Sequence, residues 1–494
     1  MIEPRSHVAV LFALAAAAAS AGCAGPSAAQ PGAAGLASTG RDAPAKRRVV
    51  VISIDGLRPE LYLDPAAHGV SLPALTGLAR RGVHARGVRG VVPTVTYPSH
   101  TTMVTGMRPA GHGIVTNYRF DESGRFINWY WEAEAISATT LWQSARAAGA
   151  TTAALSWPVT VGADIDHNLP EFPLRGRTYP EYLPQTASPA LAAAIAADVT
   201  LPDITRSDDY ERYLFDVAAL VVRRWRPELL LLHVFNTDSK QHGHGRDADE
   251  VRAAFEQVDQ RVGAFLQVLA TQGLSDETLI VITGDHGFVD VHSVVHLNAA
   301  LVRAGLIELD DYAEVVGWRA MAWPSGGSVA LMLRDQADAG TRLLLEQTVD
   351  QLLAGQLAGA ARKISAAELA ERGGMPGAEF ALFFNEGYNT GKNLTGPTVE
   401  RLDGIRGAHG HDPGLARMRT GFLMAGPGVR AGAVIDELPM VDIAPTIAAW
   451  AGWRLQGVEG WARSELFVDT AARLHNSPSM DSAGRAGSAS TFSR

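Results

Sequence analysis

Val49-Val-Val-Ile-Ser-Ile54 runs straight into Asp55-Gly56. Five of the six residues are β-branched and apolar, with no polar alternation. An unbroken run of this length, stopped by a turn, predicts a strand buried on both faces. Thr151–Ser156, Glu228–Phe235 and Thr278–Thr283 repeat the pattern, and Thr420–Met424 reads as a late strand. Between them, Leu72–Gly82, Thr140–Ala148 and Asp247–Gln272 carry helical spacing, and Gly149 supplies a C-terminal stop. Strands alternating with helices predict an α/β fold, with a mostly parallel central sheet and helices on both faces. Residues from about 305 to 405 break the rhythm. They hold Gly327–Leu333, a helix-like Thr341–Leu357 and Phe380–Phe384, and read as an inserted α+β cap subdomain.

The chain has 494 residues and 47% apolar content, enough for a large globular enzyme domain with an insert. Its net charge of −9 argues against a duplex nucleic-acid partner, which requires a basic face. Residues 1–23 read as an export signal, with Arg5 ahead of an Ala-rich apolar stretch too short to span a membrane. Cys23 is the one cysteine and follows Ser20-Ala-Gly22. Simple cleavage and lipoprotein processing, with a lipid anchor at Cys23, both fit that site. The expected location is therefore periplasmic, membrane-anchored or secreted. A lone cysteine excludes a disulfide framework and cysteine-based zinc sites. Residues 24–46 are expected to form a flexible linker, 47–470 the catalytic domain and 471–494 a disordered tail.

The acidic residues fall just past strand ends, where open α/β sheets place their active sites. Asp55 ends the first strand. Asp238 and His242 are four apart after another, close enough to share a ligand on one helical turn. Asp285-His286 lies between Gly284 and Gly287, and His409 lies in Gly407-Ala-His-Gly-His411. Taken singly, each reads as a cap or loop residue. Together, three Asp and three His suit two Zn²⁺ ions with open positions. Ions about 4 Å apart can clamp the attacking and leaving oxygens of an in-line displacement at phosphorus. Pro93-Thr-Val-Thr-Tyr-Pro-Ser-His100 offers a hydroxyl nucleophile. Thr94 and Thr96 are both candidates. Thr96 is better placed, two residues before Pro98 in the first turn of a helix whose N–H groups can face an anion. His100 and His112 read as structural.

These motifs resemble the nucleotide pyrophosphatase/phosphodiesterase family of the alkaline phosphatase superfamily. The matching segments are Ser53-Ile-Asp-Gly-Leu-Arg-Pro59, the Thr96 stretch, Thr105-Gly-Met-Arg-Pro-Ala-Gly-His-Gly-Ile114 with Asn117, Asp238 to His242, Gly284-Asp-His-Gly287, Gly407-Ala-His-Gly410 and Val441-Asp-Ile-Ala-Pro-Thr-Ile447. The resemblance implies an alkaline-phosphatase-like fold over roughly 48–465. It implies one zinc held by Asp238, His242 and His409, and another by Asp55, Asp285, His286 and Thr96. Thr96 would attack phosphorus and form a phospho-threonine intermediate, with Asn117 binding a non-bridging oxygen. The implied substrate is a small phosphorylated molecule such as a nucleotide or phosphodiester. Pro98-Ser-His100 stands where the family often has Pro-Asn-His. Aromatic residues for a nucleotide base are not evident, with Tyr97, Trp157 and Tyr179 as the candidates.

A phosphomonoesterase, with Arg175 and Arg177 as extra phosphate donors, is the alternative, followed by a phosphonate hydrolase. A sulfatase lacks its modification motif here, and a cofactor-independent phosphoglycerate mutase would need a serine nucleophile. From another class, the fold could serve as a catalytically inert binding lipoprotein.

Overall fold

The computed structural model describes residues 47–120, 123–124, 126–171 and 178–468. The export signal, the linker, Arg175, Arg177 and the tail lie outside the described residues. Among the described residues no helix is long and apolar enough to cross a membrane.

In chain order the elements used below are β1 (Arg48–Ile54), α1 (Pro73–Arg81), β2 (Val83–Ala85), α2 (Thr96–Thr105), β3 (Thr152–Leu155), β4 (His167–Leu169), α3 (Ser207–Trp225), β5 (Leu229–Val234), α4 (Asn236–His244), α5 (Asp249–Thr271), β6 (Thr278–Thr283) and β7 (Val289–Val295). Then come β8 (Ala320–Ser325), β9 (Ser328–Leu333), α6 (Ala339–Ala354), β10 (Ala361–Ser365), β11 (Ala378–Phe384), β12 (Gly387–Thr390), β13 (Val399–Ala408), β14 (Phe422–Ala425), β15 (Val434–Ile435) and α7 (Ile443–Ala451).

The central sheet has eight strands in the order β15-β2-β14-β6-β1-β5-β3-β4. All of its pairings are parallel except those of β14, which runs antiparallel to both β6 and β2. β1 is central because it is apolar on both faces. Val50, Ile52 and Ile54 enter a core with α1, α3 and α5, whereas Val49 and Val51 enter a second core with α2 and α7. Each fully buried aliphatic side chain of this kind contributes about 1.5–3 kcal/mol. Register then does the positioning: Ile52 pairs with Leu232 on one side and with Ile282 on the other. The ends of β1, β5 and β6 therefore lie side by side, and the residues that follow them share one edge.

Within 305–405 the chain builds a separate antiparallel sheet, β8-β9-β11-β10, with α6 packed on it. β12 and β13 leave that sheet and flank β7. The β8–β9 hairpin reaches the central site. Gly326, at φ +66°, lies against the His409 carbonyl, where an added Cβ would come within 2.1 Å of the oxygen. Gly327 N–H donates to the same carbonyl at 2.7 Å.

Candidate active site

α2 begins at Thr96 after an extended Val95 and ends at Gly106, which takes the left-handed conformation at φ 69°. From Val91 to His100 every residue is buried except Thr96. The hydroxyl carrier thus sits at the one opening in a packed segment. Its neighbours are tied down on both sides. His409 Nδ1 donates to the Thr94 carbonyl at 3.1 Å, and Tyr97 N–H donates to Asn117 Oδ1 at 2.9 Å. With Oδ1 committed, the Nδ2 end of Asn117 keeps the donors suited to an anion. Thr94 Oγ1 donates to the His411 carbonyl at 2.7 Å, so Thr94 is scaffolding.

The six Asp and His residues gather at the strand edge beside this helix start. Asp55, Asp285 and His286 form one compact group, and Asp238, His286 and His409 form a second. His286 thus stands between the two groups. His242 joins through Asp238, whose Oδ1 lies 3.3 Å from His242 Nε2.

Each of these three imidazoles spends its Nδ1–H on a backbone carbonyl: His242 on Gly407 at 2.9 Å, His409 on Thr94 at 3.1 Å and His286 on Gly287 at 3.3 Å. Their Nε2 atoms consequently point inward. They face carboxylate oxygens, His286 at 3.1 Å from Asp285 Oδ2 and 3.3 Å from Asp55 Oδ1, and His409 at 3.7 Å from Asp238 Oδ1. Lone pair against carboxylate is repulsive unless a proton or a metal cation lies between them. Asp55 Oδ1, Asp238 Oδ1, Asp285 Oδ2 and His286 Nε2 are buried with no hydrogen-bond partner. Buried polar atoms are normally paired, so four convergent orphans of this type fit metal ligation.

The electrostatics agree. Burial, with Asp285 and Asp238 nearby, holds the Asp55 carboxyl well above the usual carboxylate range. Burial lifts Asp285 to about 6. Burial opposes ionisation of Asp238, yet His242, His409 and His286 bring it below its ordinary value. Burial lowers His286 to about 3 and pushes His409 well down. For His242, burial works against the charged form, but Asp238 lifts it to about 9.

Residues 49–353 match the family model of type I phosphodiesterase / nucleotide pyrophosphatase. The chain belongs to this family. An uncharacterized pyrophosphatase/phosphodiesterase of Schizosaccharomyces pombe is 25% identical over 314 residues, covering 61% of this chain and 54% of that protein. Human ectonucleotide pyrophosphatase/phosphodiesterase family member 5 is 26% identical over 282 residues, covering 55% of this chain and 49% of the relative. The chain thus spans about half the length of these relatives. The solved structure of the human member 5 superposes with a TM-score of 0.63 at 21% identity, covering 86% of this chain and all of that one. An inactive murine member 5 in complex with AMP superposes at 0.60, again at 21% identity, covering 85% of this chain and all of that one. The mixed α/β architecture, with its mostly parallel central sheet, is the fold of these phosphodiesterase-family structures.

The type I phosphodiesterase frame also holds residues that motif reading passed over. His233 Nε2 lies 3.1 Å from Asp55 Oδ2, and its Nδ1 lies 3.1 Å from the Ser156 carbonyl. It is the one polar residue in the Leu229–Val234 run, and that was the available signal. His100 stacks edge-on to His233 at 4.3 Å, its Nδ1 donating to the Thr96 carbonyl at 2.8 Å. Both support the site from behind. His112 Nε2 lies 3.1 Å from Thr102 Oγ1 inside the α2 packing. Of the three candidate stacking aromatics, Trp157 is fully buried against His100, and Tyr97 is fully buried, edge-on to Trp129 and Trp131. Neither offers a free face. Tyr179 lines a cavity.

Proposed function

We propose that this protein is a zinc-dependent phosphodiesterase/nucleotide pyrophosphatase that hydrolyses phosphate esters through a covalent phospho-threonine on Thr96. The observation that carries the reading is the convergence of inward Nε2 atoms and unpaired carboxylate oxygens beside the one half-buried hydroxyl of an otherwise buried α2. Two Zn²⁺ ions per chain, held by Asp55, Asp238, His242, Asp285, His286 and His409 with Thr96, would supply Lewis-acid charge and lower the pKa of a hydroxyl.

The chain's own groups do the rest. Thr96 Oγ1 forms the bond to phosphorus as the ester oxygen leaves, and water later displaces the threonine. Asn117 Nδ2 donates to a non-bridging oxygen as charge gathers there. The packing around Val91–His100 holds Thr96 in place, so little ordering remains to be done at reaction. The AMP bound by the murine relative supports a nucleotide-sized phosphoryl substrate. We extend the proposal to export through residues 1–23, ending either in simple cleavage or in a lipid anchor at Cys23.

Elemental analysis for zinc, with kcat/KM on matched aryl phosphate diesters and monoesters, tests the reading. Two zinc per chain and a diester preference are expected. A metal-free inactive protein, or a strong monoester preference, would overturn it.

A further inference from the structure

A cavity of about 320 Å³, of small-molecule size, lies at the seam between the 305–405 insert and the central domain. Its walls include the Arg89–Val92 segment, which runs on into Thr94 and Thr96, together with Arg108, Arg372 of the insert, and Asp412 just after the His409 loop. None of its lining residues belongs to the metal-ligand set. The seam around it is tight. Arg108 Nη1 donates to the Glu371 carbonyl at 2.6 Å, and Ala110 N–H donates to the Gly373 carbonyl at 3.0 Å. A Cβ on Gly374 would come within 2.5 Å of the Val92 carbonyl oxygen.

Three guanidinium groups meet one carboxylate in this cavity. That carboxylate is already spent. Asp412 Oδ1 accepts from Arg372 Nη2 at 2.5 Å and from Gly414 N–H at 2.8 Å. Its Oδ2 accepts from Arg372 Nη1 at 3.2 Å and from Arg362 Nη2 at 3.1 Å. Burial opposes ionisation of Asp412, yet Arg372, Gly414 N–H and Arg362 hold its carboxyl below the ordinary range. Arg89 and Arg108 keep donors in hand. Arg108 spends Nε on Glu459 and Nη1 on Glu371, which leaves Nη2. Arg89 approaches Glu437 through Nε alone, at 3.3 Å, and Arg419 also holds that carboxylate. The backbone adds to the bias. Among the described residues, the N–H groups of Gly90, Val91 and Val92 find no acceptor, although Val91 and Val92 are buried. Buried backbone donors are normally paired, and a run of them beside guanidinium groups is the donor set of an oxyanion site.

We propose that this cavity is a second anion site, which binds a phosphate dianion, either free or as a phosphomonoester. A phosphate group presents at least three acceptor oxygens in different directions. It can therefore meet Arg89, Arg108 and the amide run together, where a planar carboxylate could not. Bound there, the anion bridges the insert and the segment that carries Thr96.

Equilibrium dialysis of the zinc-loaded protein against radiolabelled inorganic phosphate counts the sites. Two phosphates per chain are expected, one at the metal cluster and one in the cavity. Arg89→Gln and Arg108→Gln should each weaken the cavity site by about tenfold or more. Phosphate should still inhibit hydrolysis of an aryl diester competitively in both variants, with Ki unchanged. The Arg89 side chain is more than half exposed, so that variant tests the site without disturbing the core. Phosphate binding that both variants leave unchanged, at one site or at two, would overturn the proposal, as would no binding at all. A single phosphate that both variants lose, without competitive inhibition in the wild type, would support the cavity and count against the metal-site reading instead. Phenyl phosphate as a competitor separates the two sources: displacement of the cavity phosphate assigns the site to phosphomonoesters, and retention assigns it to free phosphate.

Discussion

The imidazole of His409 stacks on that of His286, with ring centroids 3.5 Å apart and planes within 8°. Two imidazolium cations could not share that separation, and burial keeps both rings neutral. Neutral rings with Nδ1–H anchored to carbonyls are ready ligands. Asp285, raised to about 6, and His242, raised to about 9, hold protons that a metal must displace. Protonated forms compete with the cation, so zinc affinity should weaken as pH falls from 9 through 6. Calorimetry in buffers of different ionisation enthalpy would show proton release on zinc binding at pH 7. Binding that is pH-independent across this window would contradict the assigned ligands.

Thr96→Ala is expected to abolish turnover, at least about 10³-fold in kcat, because every other hydroxyl on this stretch is buried. Six side-chain ligands remain, so zinc content by elemental analysis should hold. Thr96→Ser should keep part of the activity. Undiminished activity in the alanine variant would identify a different nucleophile.

Asn117→Ala removes both the acceptor that pins Tyr97 N–H and the donor offered to the phosphoryl group. Loss of one such oxyanion donor costs about 10²–10³ in kcat. A fall in kcat/KM on an aryl diester, with zinc affinity unchanged, is the expected split. An unchanged kcat/KM would place Asn117 outside the reaction.

His233→Leu leaves Asp55 without the contact that orients Oδ2. Supporting contacts of this kind are worth about 10–100-fold in metal affinity. Equilibrium dialysis against zinc should show that loss while the fold, by circular dichroism, persists. Equal affinity in wild type and variant would make His233 a packing residue only.

Gly326→Ala would drive a Cβ into the His409 carbonyl from a left-handed backbone position. The hairpin and the His409 loop cannot both stay in place, so about 1–3 kcal/mol of stability should be lost. Weaker zinc binding should accompany the lower Tm. A variant as stable as wild type would show that the hairpin is free to move away from the loop.

Much of this protein was legible locally. An apolar β-branched run such as Val49–Ile54 declares a doubly buried strand, because period and composition are properties of a few neighbouring residues. The acidic and imidazole residues past those strands were visible for the same reason, since Asp55, Asp238 and Asp285 each fall within a few residues of the end of an apolar run. The antiparallel course of β14 was not legible, because strand direction depends on how the chain returns through the β8–β13 region. Nor was the role of His233, which in sequence is one polar residue inside a core strand.

The sequence by itself determined which segments become strands and which residues at their ends can bind metal. Only the tertiary structure decided that His286 stands between both acidic groups and that Tyr97 and Trp157 are sealed in. It also decided that Arg89, Arg108 and Arg372 meet around one cavity. Those outcomes depend on register and packing between segments tens to hundreds of residues apart, and no local pattern encodes a distance between them.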